Sequence, residues 1–99
     1  MIHFPAKFYP ADGQFTRTVN IGESWVSIKM VESGFPVTNN SGTSWRKNGG
    51  PEIPSQHGLL TYTFTQPIRS SDEGIYEIYY EGERAAGRGA LYRIIVRGK

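Results

Sequence analysis

Short runs of alternating apolar and polar residues recur along the chain. No stretch repeats apolar positions at helical spacing without a glycine or proline breaking it. In SWVSIKM, Val26, Ile28 and Met30 alternate with Ser27 and Lys29, which predicts a strand with one apolar face and one wet face. LLTYTFT repeats the pattern, with Leu60, Tyr62 and Phe64 set against threonines. FTRTVNIG predicts a β-rich run from Phe15 to Ile21 that stops at Gly22, and TSWRKNGG a short strand around Trp45 entering an Asn-Gly-Gly turn. GIYEIYY and ALYRIIVR follow, joined by the glycine-rich EGERAAGRG. Strands at short intervals with turn chemistry between them predict an all-β antiparallel sandwich or barrel. The 99 residues suit a single domain, 1–99, with one core and no internal repeat or linker.

Composition then removes several functions. The chain has no cysteine, which rules out thiol catalysis and thiolate metal sites and leans towards a reducing compartment. His3 and His57 stand far apart with no zinc spacing, so neither metal nor cofactor is expected. Gly49-Gly50 and Gly87-Arg88-Gly89 lack the strand-to-helix context of a phosphate loop and read as turns. No G-x-S-x-G element accompanies the serines, and no enzyme is expected. No apolar run approaches the roughly 20 residues that span a bilayer, so direct membrane insertion is not expected. The opening MIHFPAKFYP does not read as a secretory signal, and the chain is expected to be a module of a longer protein.

Charge is mildly positive at +2, but Arg84, Arg88, Arg93, Arg97 and Lys99 crowd the C-terminal end, partly offset by Glu81 and Glu83. The preferred reading is a solvated loop and strand. The alternative is a glycosaminoglycan partner held by Arg84, Arg88, Arg93 and Arg97; nucleic acid is not expected. Asn39-Asn40-Ser41 is a sequon, so Asn39 is a candidate glycosylation site on an extracellular surface, or else a chance triplet in a polar loop.

SSDEGIYEIYY places Asp72, Gly74 and Tyr76 at alternate positions before a strand-like run. Taken with GESWVSIKM and SWRKNG, it resembles the immunoglobulin superfamily: strand B, strand C with Trp45 as core tryptophan, and the D-x-G-x-Y-x-C start of strand F. The resemblance implies a two-sheet antiparallel β-sandwich. Gly74 would allow a close approach at the corner, and the Tyr76 hydroxyl would bond the backbone upstream. Asp72 would meet backbone N–H groups or an arginine, Arg69 or Arg46. Met30 and Ile78 stand where the family carries its B–F disulfide. A cross-link of about 2–5 kcal/mol is thereby lost, and an aromatic-rich core of Trp25, Trp45, Tyr62, Phe64 and Tyr76 is expected to offset part of it.

Within that family, FPAKFYP, FTRTVNIGESW, RKNGGPEIP, SSDEGIYEIYYEGE and LYRIIVRGK together resemble the second immunoglobulin domain of the Tie-type angiopoietin receptor tyrosine kinases. That likeness implies an extracellular recognition module of a cell-surface receptor, binding a protein ligand or a second copy of itself. The residues suggest where. If Tyr76, Ile78 and Tyr80 face inward, Glu77 and Tyr79 face outward; if Tyr92, Ile94 and Val96 take one face of the last strand, Leu91, Arg93, Ile95 and Arg97 take the other. Leu91, Ile95 and Tyr79, edged by Arg93, Arg97 and Glu77, would form the partner surface. The competing reading is a cytoplasmic, structural immunoglobulin domain of the muscle-filament type, which the lack of cysteine also suits.

Overall fold

Seven strands organise the protein in the computed structural model, which describes residues 4–35, 43–80 and 90–98. They are β1 (Phe4–Pro10), β2 (Thr16–Asn20), β3 (Ser27–Phe35), β4 (Thr43–Lys47), β5 (Thr61–Thr63), β6 (Gly74–Tyr80) and β7 (Ala90–Arg97). One sheet has the order β1-β3-β5 and the other β2-β7-β6-β4, giving an all-β, immunoglobulin-like two-sheet sandwich without a disulfide. Pairing is antiparallel except between β2 and β7, which run parallel from Thr16 opposite Arg93 to Asn20 opposite Arg97. The exception arises because the N-terminal segment serves both sheets. It leaves β3 after Pro10, turns at Gly13, and joins the far edge of the second sheet.

β1 is the strand that alternation does not predict. Pro5 and Pro10 interrupt the pattern, yet proline is tolerated on an edge strand, and among the described residues β1 pairs on one side only, with β3. The register shift between Phe4 and Lys7 encloses Pro5. The strand predicted over Leu59–Thr65 shortens to Thr61–Thr63. Beyond it, the buried Gln56 side chain takes the place of a further strand, its amide bonding both the N–H and the carbonyl of Thr63 at 3.2 Å. The Asn-Gly-Gly turn forms as predicted, with Asn48 and Gly49 both at positive φ and Gly50 N–H donating to the Lys47 carbonyl.

Trp45, with none of its surface exposed, anchors the core. Around it lie Val26, Ile28, Met30, Ile78, Tyr76 and Ile94, all buried, so Met30 and Ile78 do fill core positions between the two sheets. Tyr62 gathers the rings. Its centroid lies 5.3 Å from that of Trp45, 5.0 Å from Tyr76 and 5.0 Å from Phe64, in edge or tilted geometry. The Trp45 indole N–H donates to the Leu59 carbonyl at 2.9 Å, so the buried polar edge is satisfied. Trp25 does not belong to this cluster. It is 95% exposed with φ 65°, in the bend that precedes β3, so the strand alternation that turns Val26, Ile28 and Met30 inward does not extend to it.

Candidate partner-binding face

The corner before β6 fixes how the second sheet is presented. Ser70–Asp72 form a 3₁₀ turn, and the Tyr76 hydroxyl donates to the Asp72 carbonyl at 2.5 Å. The Asp72 carboxylate accepts from Arg69 N–H at 2.8 Å and lies 3.9 Å from the Arg69 guanidinium. Of the two arginines expected near Asp72, only Arg69 is there; Arg46 is held by Glu77 instead, across the β4–β6 pair. At Gly74 a Cβ would come within 2.8 Å of the Asn48 side-chain oxygen, the atom that accepts from Ile75 N–H. The absence of a side chain there is what lets the β4 turn dock against the start of β6. One residue earlier, Glu73 accepts from Val96 N–H at 2.9 Å and extends the β7 ladder past the end of β6.

Strand parity assigns the open face of this sheet. Tyr76 and Ile78 on β6, with Tyr92 and Ile94 on β7, point into the core. Ile75, Glu77, Leu91, Arg93, Ile95 and Arg97 take the opposite side. Ile75 pairs with Arg93 and Glu77 with Leu91, so Ile75, Leu91 and Ile95 surround Arg93. Leu91 is 54% exposed, Ile75 is 36% exposed and Ile95 is partly exposed. Arg93 and Arg97 are exposed, and among the described residues neither forms an ion pair.

Two expected members of the surface behave differently. Tyr79 is only 2% exposed and therefore does not contribute to an open patch. It has the outward parity, but the Arg46 guanidinium lies over its ring, 5.0 Å from the centroid. Glu77 is mostly covered and committed to Arg46, so it closes one margin of the patch and offers no free charge. Ile75, in contrast, is exposed and joins the surface. It shares the parity of Glu77 and Tyr79, a signal the sequence carries. Asn39, Arg84 and Arg88, and the side chain of Tyr80, lie outside the described residues.

A further polar cluster forms at the free side of β4. His57 Nδ1 meets Glu52 Oε2 at 2.6 Å, and the Ser44 hydroxyl lies 3.0 Å from the same carboxylate oxygen. Serine and carboxylate both address one ring nitrogen, and Ser44 is fully buried, so the hydroxyl is held as a hydrogen-bonding group and not presented to a substrate. Among the described residues no set of three His, Asp or Glu could hold a metal ion, and no helix is long and apolar enough to cross a membrane. Compared with protein-family models the chain matches none, and no curated protein matches it significantly.

Proposed function

We propose that this chain is an immunoglobulin-superfamily recognition module, the extracellular part of a cell-surface receptor of the Tie type, which binds a protein ligand through the open face of β6 and β7. The observation that supports this reading is the group of exposed Ile75 and Leu91 and partly exposed Ile95 around Arg93, on the outer face of β6 and β7. Apolar side chains rimmed by charge are what a protein interface uses. Arg93 and Arg97 are positive and form no ion pair among the described residues, Glu77 is spent on Arg46, and Glu73 at the margin accepts from Val96 N–H. Two copies meeting through this face would bring like charges together, so an acid-rimmed partner protein fits it better than a second copy.

Sedimentation equilibrium over a wide concentration range tests the choice between ligand and self. A monomer throughout is the expected result. A dimer that Leu91→Asp dissociates would replace the ligand with a second copy. Binding to a candidate receptor ligand, lost in Leu91→Asp and weakened by salt, would carry the reading forward; ligand binding untouched by that change would remove this face from it.

The second reading, a structural immunoglobulin domain in a reducing cytoplasm, draws support from one feature: the core closes around Met30 and Ile78 with no cross-link to lose. A glycan found on Asn39 after expression in animal cells would count against it. The alternative of a glycosaminoglycan held by the C-terminal arginines keeps, among the described residues, Arg93 and Arg97, and heparin retention unchanged in an Arg93→Gln, Arg97→Gln variant would end it.

A further inference from the structure

Trp25 stands apart from everything the sheet face explains. Within the described residues it forms no ring contact or hydrogen bond, yet it is held almost wholly in water in a left-handed backbone conformation. A bulky residue at positive φ is strained by an amount of order 1–3 kcal/mol, and exposing an indole gains the fold nothing. The ring is shared by two clefts. The first, of about 300 Å³, is lined by Arg17, Lys29, Asp12, Ser27 and Tyr92 in addition to Trp25. The second, of about 370 Å³, is lined by Phe64 and Pro67 with Ser24, Thr63, Thr65 and Gln66.

Arg17 is the built element of the first cleft. It points to the inner side of β2, is half-buried, and donates one bond across the sandwich to the Ser27 carbonyl at 2.9 Å. Among the described residues it has no carboxylate partner, so four of its five N–H donors are uncommitted. With Lys29 it outweighs Asp12, and the cleft is net cationic beside an aromatic face. The second cleft offers an apolar surface fringed by hydroxyls and an amide. An aromatic plane, a pair of cations and a set of hydroxyl-bonding groups together match one ligand chemistry: pyranose rings, apolar on one face, hydroxylated at the edge and carrying an acidic group.

We propose that Trp25 and the two clefts it divides form a binding site for an acidic oligosaccharide of at least two sugar units. One ring stacks on Trp25 and places its carboxylate or sulfate between Arg17 and Lys29; the adjoining ring lies in the cleft of Phe64, Pro67 and Thr65. The site shares no residue with the Leu91 patch and stands or falls independently of the protein-ligand reading.

The protein has two tryptophans, and Trp45 is fully buried, so acrylamide quenching of fluorescence reads Trp25 selectively. The probes are a sulfated heparin octasaccharide, a hyaluronan oligosaccharide of the same length, a neutral malto-oligosaccharide, and an acidic peptide of equal charge carrying one phenylalanine. One or both acidic sugars should blue-shift the emission and protect Trp25, with the neutral sugar and the peptide much weaker. Arg17→Gln should weaken binding roughly ten- to hundredfold, the scale of a charge-assisted hydrogen bond. Calorimetry should show binding lost in Trp25→Ala, whose melting temperature should stay unchanged because the side chain is solvent-exposed. Sugar binding that survives Trp25→Ala and Arg17→Gln, or no protection at millimolar sugar, would overturn the site. Preference for the peptide would overturn the ligand class.

Discussion

Replacing both Met30 and Ile78 with cysteine puts the immunoglobulin reading of β3 and β6 under direct strain. Both side chains are buried in one core cluster, and Ile78 pairs across β4 with Trp45. If they occupy the places of the family's bridge, Met30→Cys with Ile78→Cys should oxidise to an intramolecular disulfide. The closed loop would span about 48 residues, which the chain-entropy model values at about 4 kcal/mol. Against that, each substitution removes the equivalent of two methylenes from the core, roughly 3 kcal/mol for the pair. The oxidised variant should therefore be about as stable as the parent, and the reduced variant about 4 kcal/mol weaker than the oxidised one. For a domain of this size that separates the two melting temperatures by roughly 15–30 °C. Thiol titration in denaturant, with melts in the presence and absence of reductant, measures both quantities. Two titratable thiols persisting after oxidation of folded protein would mean that positions 30 and 78 do not face one another, and the correspondence with strands B and F would fail.

Four further outcomes follow from local contacts and burial. Tyr76→Phe removes the hydroxyl bond to the Asp72 carbonyl and should cost about 1 kcal/mol by urea unfolding at neutral pH. Burial raises the pKa of Tyr76, Tyr62 and Tyr92 above the usual tyrosine value, so the folded chain keeps protons that the unfolded chain releases. Stability should hold up to about pH 10 and decline above it, less steeply in Tyr76→Phe; a parent flat to about pH 11.5 would contradict the assignment. Gly74→Ala puts a methyl against the Asn48 amide and Lys47 Cε, both 2.8 Å away, at a positive φ, and should destabilise by roughly 1–3 kcal/mol by urea unfolding. Gln56→Ala leaves the Thr63 N–H and carbonyl unpaired at the edge of β5, and hydrogen exchange at the Thr63 amide should accelerate while that at Ile78 does not.

Parity explains both what the sequence discloses and what it withholds. A strand's side chains alternate with period two, which turns Val26, Ile28 and Met30 inward against Ser27 and Lys29. In β6 and β7 both parities carry apolar residues, so alternation groups Tyr76 with Ile78 and Tyr92 with Ile94 without saying which group faces the core. The turn at Asn48-Gly49 and the corner at Asp72, Gly74 and Tyr76 are legible for a related reason: each depends on local chemistry within a few residues. Parity tells which side of a sheet a residue takes, but not what lies over that side. Tyr79 has the outward parity of Leu91 and yet is buried, with the Arg46 guanidinium from the next strand, itself paired with Glu77, lying over its ring. Trp25 departs from expectation in the opposite sense: aromatic character argues for the core, yet it sits in the bend before β3 at φ 65°, where strand alternation does not reach. A large ring left in water there has no role in holding the sandwich together, which is why the residue that sequence places least well is the one from which a binding site is inferred.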